Sequence, residues 1–137
     1  MEYITRVGAL IIEENRLLLV RNDFSPVLLV PGGKVKENET KLETLERELD
    51  EELKVKPISA IDFRTYHSDK ALFDPEPLEM FTYITEIDGE PKPSAEIVEV
   101  VRLSREDYCN KRFELAPMIH KIIPDLDSEG YLKFLKT

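Results

Sequence analysis

The chain has 137 residues, 42% hydrophobic and 34% charged, which suits one domain over residues 1–137 and excludes a disordered acidic tail. The formal net charge of −9 argues against a nucleic-acid polymer as the main partner, because a phosphate backbone selects surfaces rich in Lys and Arg. With Cys109 as its single cysteine, the chain has no internal disulfide and no cysteine-rich zinc site.

The N-terminal residues give an expectation for the location of the protein in the cell. They lack the basic segment of a signal peptide, and their apolar run is too short to span a membrane. We therefore expect a cytoplasmic protein with no membrane partner. Its negative charge still allows a nucleotide substrate that arrives with a divalent metal, since a bound cation inverts the local charge.

Three strands are predicted before residue 34. The apolar runs at 3–12 and 16–21 flank the polar turn at 13–15, which is the pattern of a β-hairpin. A short buried strand is predicted at 27–30, and the segment Pro-Gly-Gly at 31–33 stops it.

A helix is predicted to follow. Thr40 and Glu43 have the spacing of a capping box, in which each side chain binds a free backbone N–H at the start of a helix. Pro57 is predicted to end the segment. Leucines spaced by three and four residues form an apolar stripe for the core, and they are Leu42, Leu45, Leu49 and Leu53.

The second half repeats the order of strands and then helices. We expect strands at 58–67, 79–87 and 95–103, with the acidic, proline-containing segment 68–78 as an exposed lid. Ser104 and Asp107 are candidates to cap a short helix, and a last helix is predicted over 117–123. This order predicts an α+β or layered α/β/α domain with a mixed sheet.

The predicted first helix contains the run "RELDEEL" at 47–53, which is unusually acidic. On a helix, Glu48, Glu51 and Glu52 share one flank beside the leucine stripe. A solvated surface is the commonest interpretation of such a run. However, carboxylates beside an apolar stripe are partly buried, and burial without a cation is unfavourable. Hard divalent cations such as Mg²⁺ or Mn²⁺ bind oxygen ligands of this kind.

The spacing around this run resembles the signature of the Nudix hydrolases. That signature is glycine, five residues, glutamate, seven residues, Arg-Glu-aliphatic, one residue, Glu-Glu, one residue, glycine and an aliphatic residue. Residues 33–55 here are "GKVKENETKLETLERELDEELKV". One position departs, because Lys54 stands where the family has its late glycine, which normally takes a left-handed conformation after the helix.

The resemblance implies a Nudix-type α/β/α sandwich with a central mixed sheet. It also implies a Mg²⁺-dependent pyrophosphohydrolase, with Mn²⁺ as a substitute, that cleaves a nucleoside diphosphate linked to another moiety. A MutT-like action on nucleoside triphosphates is the main expectation. The alternatives are a dinucleoside polyphosphate hydrolase, an ADP-ribose hydrolase and a non-catalytic nucleotide-binding regulator. The protein is expected to be a monomer or a homodimer.

The resemblance also implies roles for individual residues. Glu48, Glu51, Glu52 and the carbonyl of Gly32 would bind metal. Glu48 is the preferred general base, with Glu52 as the alternative. The remaining roles are an ion pair between Glu39 and Arg47 that positions the metal ligands, and a further metal ligand from a later segment, for which Glu96 is preferred over Glu99.

The sequence offers several candidates for residues that contact the substrate. Candidates for phosphate binding are Arg6, Arg21 and Lys34, although an exposed basic residue without a ligand is the commoner case. Aromatic residues in strands more often belong to the core than to a base-stacking site. The aromatic candidates are Phe24, Tyr66, Phe73, Phe81 and Tyr83.

Overall fold

The computed structural model describes residues 3–68 and 77–135, which form an α+β fold containing two sheets and three helices. The helices are α1 (Lys41–Leu53), α2 (Arg105–Cys109) and α3 (Ile119–Ser128). The strands are β1 (Ile4–Leu10), β2 (Ile12–Glu13), β3 (Arg16–Asn22), β4 (Gly32–Lys34), β5 (Lys56–Ser68), β6 (Leu78–Asp88) and β7 (Ile97–Leu103).

The larger sheet is mixed, as predicted. Its strand order is β4-β1-β6-β5, in which β1 runs parallel to β6 and antiparallel to β4. The smaller sheet, β2-β3-β7, is antiparallel. Because β4 pairs with β1, the glycines that follow Pro31 lie beside Val7 and Gly8. This pairing places the start of the signature segment against the larger sheet.

Helices pack on both sides of the strands, which confirms the layered α/β/α expectation. Successive strand residues point to opposite faces, so β3 divides its leucines between two apolar clusters. Leu18 packs in the cluster that contains Leu45 and Leu49 of α1. Leu19 packs in the cluster that contains Ile122 of α3. The apolar face of the signature helix α1 therefore packs against the core.

The predicted hairpin at 3–12 and 16–21 is wrong for most of its length. Residues 4–10 pair within the larger sheet, whereas β3 belongs to the smaller sheet. Only the two-residue strand β2 pairs with β3, and the backbone N–H of Leu18 donates to the carbonyl of Ile11 at 2.9 Å. The chain therefore changes from the larger sheet to the smaller one near Ile11.

The strand predicted at 27–30 is reduced to two isolated bridges. Leu28 pairs with Leu115, and Leu29 pairs with Val20. The two successive residues therefore bind different segments, so no ladder forms. The apolar pattern correctly indicated burial, since Val27 and Leu28 belong to the core.

The helix α1 begins where it was predicted but ends differently. Its stripe starts at Leu45, because Leu42 lies in the first turn and is 52% exposed. The helix ends at Leu53 rather than at Pro57, which lies in β5. Lys54 takes the left-handed conformation (φ 57, ψ 39), and its N–H binds the carbonyls of Asp50 and Leu49. The lysine thus reproduces the turn that the family makes with glycine.

The later elements follow the predicted order. The three later strands form, and Ser104 and Asp107 make a reciprocal capping box at the start of α2. The last helix begins two residues late and continues past Pro124, because buried Ile122, Ile123 and Leu126 hold it against the core. Most of the predicted lid, residues 69–76, lies outside the described residues. In the part of the chain that the structure describes, no helix is long and apolar enough to cross a membrane.

Candidate active site

The first turn of α1 fixes the loop that precedes it. The hydroxyl of Thr40 accepts the N–H of Glu43 at 3.1 Å, and the Glu43 carboxylate accepts the N–H of Thr40 at 2.8 Å. The buried Thr44 hydroxyl donates to Oε1 of Glu39 at 2.8 Å. These contacts close the capping box and attach the Glu39 carboxylate to the helix.

Glu39 and Arg47 form the ion pair expected from the resemblance. Nε of Arg47 lies 2.6 Å from Oε2 of Glu39, and Nη2 lies 3.0 Å from Oε1, so the contact is bidentate. The hydrogen bond from Arg47 lowers the pKa of Glu39 to about 2. Glu39 is therefore ionised throughout the neutral range and fixes the plane of the guanidinium.

The same guanidinium also orients the next carboxylates. Nη1 of Arg47 lies 2.7 Å from Oε1 of Glu48 and 3.4 Å from Oε2 of Glu51. The Glu48 carboxylate packs against the backbone of Gly33, where a Cβ would clash with both of its oxygens. Burial raises the pKa of Glu48 despite the arginine beside it. A side chain at position 33 would therefore displace the Glu48 carboxylate.

Glu52 is the buried carboxylate of the cluster, with 5% of its surface exposed. Its Oε1 accepts the N–H of Gly32 at 3.1 Å. Gly32 has a φ of 147°, and a Cβ there would overlap the carbonyl oxygen of Val7. Burial, followed by the charge of Glu48, raises the pKa of Glu52 to about 8. Burial and the neighbouring carboxylates therefore outweigh the cation Arg6, which acts on the pKa of Glu52 in the opposite direction.

A cavity of about 330 Å³ opens beside Glu52. Gly32, Glu96 and the cation Arg6 line the same space. The rest of its wall is mainly apolar and comes from both sheets and from the segment that leads into α3, including Val20, Leu29, Leu78, Met80, Ile97 and Met118. The arrangement combines an acidic end with a pocket suited to an apolar or aromatic group.

The structure separates the two candidates for the later metal ligand. Glu96 lines the cavity, and its charge contributes to the raised pKa values of both Glu48 and Glu52. Glu99 instead pairs with Arg21, whose Nε lies 2.9 Å from its Oε1. Neither Glu99 nor Arg21 lines the cavity. Of the two, Glu96 is the one placed with the carboxylates of α1.

Most of the remaining predicted site residues that the structure describes lie outside the lining of the cavity. Lys34 and Glu51 do not line the cavity, and the Lys34 carbonyl accepts a long hydrogen bond from Nη2 of Arg47, at 3.4 Å. Among the aromatic candidates Phe24 lines the cavity, whereas the described ones in β5 and β6 do not. Phe73 lies outside the described residues.

Lys121 and Asn22 are among the cavity residues that the sequence did not reveal. Lys121, in α3, contributes a second cation, and its Nζ donates to the carbonyl of His67 at 3.1 Å. Asn22, at the end of β3, contributes a buried amide. The position of Lys121 depends on the packing of α3, which no local pattern reveals. Asn22 lies two residues after the buried run Leu17–Val20, and a polar residue on the face of the strand that carries Leu18 and Val20 was the available signal.

A divalent cation fits the chemistry of this site. Among residues 3–68 and 77–135, no three acidic, histidine or cysteine side chains are arranged around a common metal position. Arg47 and the Gly32 N–H hold the carboxylates instead. Nevertheless, the buried Glu52 with Glu48 and Glu96 nearby is a set of hard oxygen donors whose mutual repulsion a cation would relieve.

Comparison with known proteins identifies the family. The sequence model of the NUDIX domain matches residues 2–126, which is most of the chain. The chain belongs to the Nudix family. It is therefore a Nudix hydrolase, a pyrophosphatase of the class that acts on nucleoside diphosphate derivatives and generally uses a divalent metal. Comparison with curated protein sequences gave no match.

Several solved structures share this fold. A NUDIX hydrolase from Nitrosomonas europaea superposes with a TM-score of 0.78 at 19% identity, covering 99% of this chain and 97% of that one. The MutT protein from Methanosarcina mazei Go1 gives 0.77 at 24% identity, covering 93% and 94%. The E. coli ORF135 protein gives 0.75 at 21% identity, covering 93% and 91%.

Proposed function

We propose that this Nudix hydrolase is a Mg²⁺-dependent, MutT-like enzyme that cleaves a nucleoside triphosphate or a related nucleotide to a nucleoside monophosphate. One observation carries the proposal. A single cavity places the carboxylates of Glu52 and Glu96, the cation Arg6 and a largely apolar wall within reach of one ligand. A nucleotide has the matching parts, since metal-bound phosphates suit the acidic end and a base suits the apolar wall.

The carboxylates would hold the cation together with the Gly32 carbonyl. We assign Glu48, Glu52 and Glu96 to this role, with Glu51 on the exposed side of the same helix as a further oxygen donor. A bound Mg²⁺ or Mn²⁺ supplies charge neutralisation at the phosphates and lowers the pKa of the attacking water. Glu48 is the proposed proton acceptor, and Arg47 orients its carboxylate through the 2.7 Å contact.

Basic residues on the cavity wall would bind the phosphates. Within residues 3–68 and 77–135, Arg6 makes no ion pair. It lies near enough to Glu52 for its charge to offset a small part of the rise in the pKa of that group. Lys121 approaches from α3. Arg21 is held by Glu99, so we place it outside the phosphate site. An unpaired guanidinium beside an acidic cluster is well suited to a phosphate oxygen.

The test is a substrate panel with product identification. It contains canonical and oxidised nucleoside triphosphates, ADP-ribose, dinucleoside polyphosphates and nucleotide sugars, each with Mg²⁺, with Mn²⁺ and with a chelator. We expect nucleoside monophosphate plus pyrophosphate from a triphosphate, and only with metal. Preferential cleavage of ADP-ribose or a dinucleoside polyphosphate would select that alternative. Binding without turnover across the panel at mildly alkaline pH would contradict the enzyme proposal.

A further inference from the structure

Asn22 has a buried oxygen atom without a hydrogen-bond partner. The residue is 5% exposed, and its Oδ1 is the only buried side-chain polar atom without a partner among residues 3–68 and 77–135. Buried polar groups in folded proteins almost always have partners, so an exception calls for an explanation. A ligand that supplies the missing donor is one explanation, and it requires the atom to lie at a binding site.

Asn22 meets that requirement because it lines the cavity that also contains Glu52 and Glu96. It stands between Val20 and Phe24, two further cavity residues. The exposed ring of Phe24 and the apolar wall suit the flat, uncharged part of a nucleotide. The residue that carries the unpartnered amide oxygen therefore lines the space that suits the nucleoside part of a substrate.

The backbone around Asn22 is also irregular. The pairing of β3 with β7 shifts at this point, with Arg21 opposite Glu99 and Asn22 opposite Ile97. The next N–H, that of Asp23, donates to the carbonyl of Glu96 at 3.0 Å. Bulges of this kind redirect side chains and are common beside active sites. Here the shift places Asn22 opposite Ile97, the residue that follows the proposed ligand Glu96.

We propose that Asn22 is a specificity-determining residue whose Oδ1 accepts a hydrogen bond from the nucleoside part of the substrate. The inference rests on the proposed nucleotide pyrophosphohydrolase function and deepens it. The donor is a ribose hydroxyl or an N–H on the base, because an amide oxygen accepts a hydrogen bond from either group. A substrate that lacks the donor leaves the oxygen unpartnered, so the site discriminates against it.

The experiment compares kcat/KM for matched nucleotide pairs in the full-length protein with Mg²⁺. One arm compares ribonucleoside with 2′-deoxyribonucleoside triphosphates of the same base, and the other compares different bases on the same sugar. We expect the wild-type protein to prefer one member in at least one arm by about 10-fold or more. Asn22→Leu, which has a similar size and no acceptor, should reduce that ratio to within about 3-fold by lowering turnover of the preferred member.

The matched control is Thr85→Val, which removes another buried polar group away from the cavity. The Thr85 hydroxyl donates to the carbonyl of Tyr83 at 2.9 Å. This variant should keep the wild-type ratios, whereas N22L should lose them while remaining folded by circular dichroism. If N22L fails to fold, Asn22→Ala removes the same acceptor with a smaller side chain.

Two outcomes would overturn the inference while leaving the proposed function intact. In one, N22L or N22A retains the wild-type ratios in both arms. In the other, the wild-type protein hydrolyses all members of the panel equally. If the wild-type protein hydrolyses no nucleotide with metal, the proposed function itself fails, and that result is distinct from both.

Discussion

At the scale of single residues, the site depends on one arginine and one buried carboxylate. Arg47 holds Glu39 by two hydrogen bonds and Glu48 by a third, so it connects the loop before α1 to the proposed metal ligands. Glu52 lies at 5% exposure beside like charges. Arg47 orients the neighbouring carboxylates, and Glu52 would supply negative charge to bind a cation.

The raised pKa of Glu52 predicts a pH-dependent stability in metal-free buffer. Its folded pKa of about 8 lies above the usual value of 4.5, so the folded state binds more protons between these two pH values. The free energy of unfolding should therefore be highest below pH 4.5, as far as this group is concerned, and should fall as the pH rises to 8. Urea unfolding in a chelator, measured across this range, checks the slope.

Glu52→Gln is the matched variant for that measurement. The amide keeps the shape of the side chain and cannot ionise. The free energy of unfolding should therefore fall less between pH 4.5 and pH 8 in the variant than in the wild-type protein, by a difference of about a few kcal/mol at most. At pH 8 the variant should be more stable than the wild-type protein without metal. An unchanged slope would show that Glu52 does not carry the charge repulsion.

Arg47→Lys tests the positioning role of the arginine. Lysine keeps the charge but cannot bind Glu39 through two nitrogens while also reaching Glu48. We expect kcat to fall by about 10-fold to 100-fold, with a smaller change in KM, because the metal ligands lose their orientation. Arg102→Lys, whose arginine pairs with Glu13 and Glu90 on the surface, is the control and should leave turnover unchanged. Equal effects from both variants would argue against a positioning role.

At the scale of elements, α1 is the part of the fold that could be predicted well. Its capping box and its leucines at 45, 49 and 53 are local signals, and the structure contains them at those positions. The hairpin prediction failed because the chain crosses from one sheet to the other near Ile11, and an apolar run contains no information on which sheet it joins. Leu28 and Leu29 show the same limit, since each pairs with a different distant segment.

The turn after α1 gives a prediction about stability. Lys54 takes a left-handed conformation that is unfavourable for a residue with a Cβ, by roughly 1 to 2 kcal/mol. Lys54→Gly removes this strain, but glycine also has a larger conformational entropy in the unfolded chain, which offsets part of the gain. The net result should be a rise in the free energy of unfolding of about 1 kcal/mol. Lys56→Gly, in the extended strand β5, should lower it instead. Chemical denaturation compares the two, and a loss of stability in both variants would contradict the account.

At the scale of the whole molecule, the cavity joins residues that are far apart in the sequence. The spacing within residues 33–55 was enough to predict the ion pair of Glu39 with Arg47, and it proposes Glu48 and Glu52 as metal ligands. It could not choose between Glu96 and Glu99, because that choice depends on the register of β7 against β3 and on the ion pair of Arg21. Asn22 and Lys121 reach the cavity only through long-range packing, so local patterns did not reveal them.

The central claim is that the carboxylate cluster around Glu52 uses a divalent cation to hydrolyse a nucleotide. The most direct test is the release of nucleoside monophosphate by the wild-type protein and by Glu52→Gln, each with Mg²⁺ and with a chelator. We expect the wild-type protein to turn over nucleotide only when metal is present, and kcat to be lower by several orders of magnitude in the folded variant. Near-normal turnover by E52Q, or turnover that survives the chelator, would contradict it.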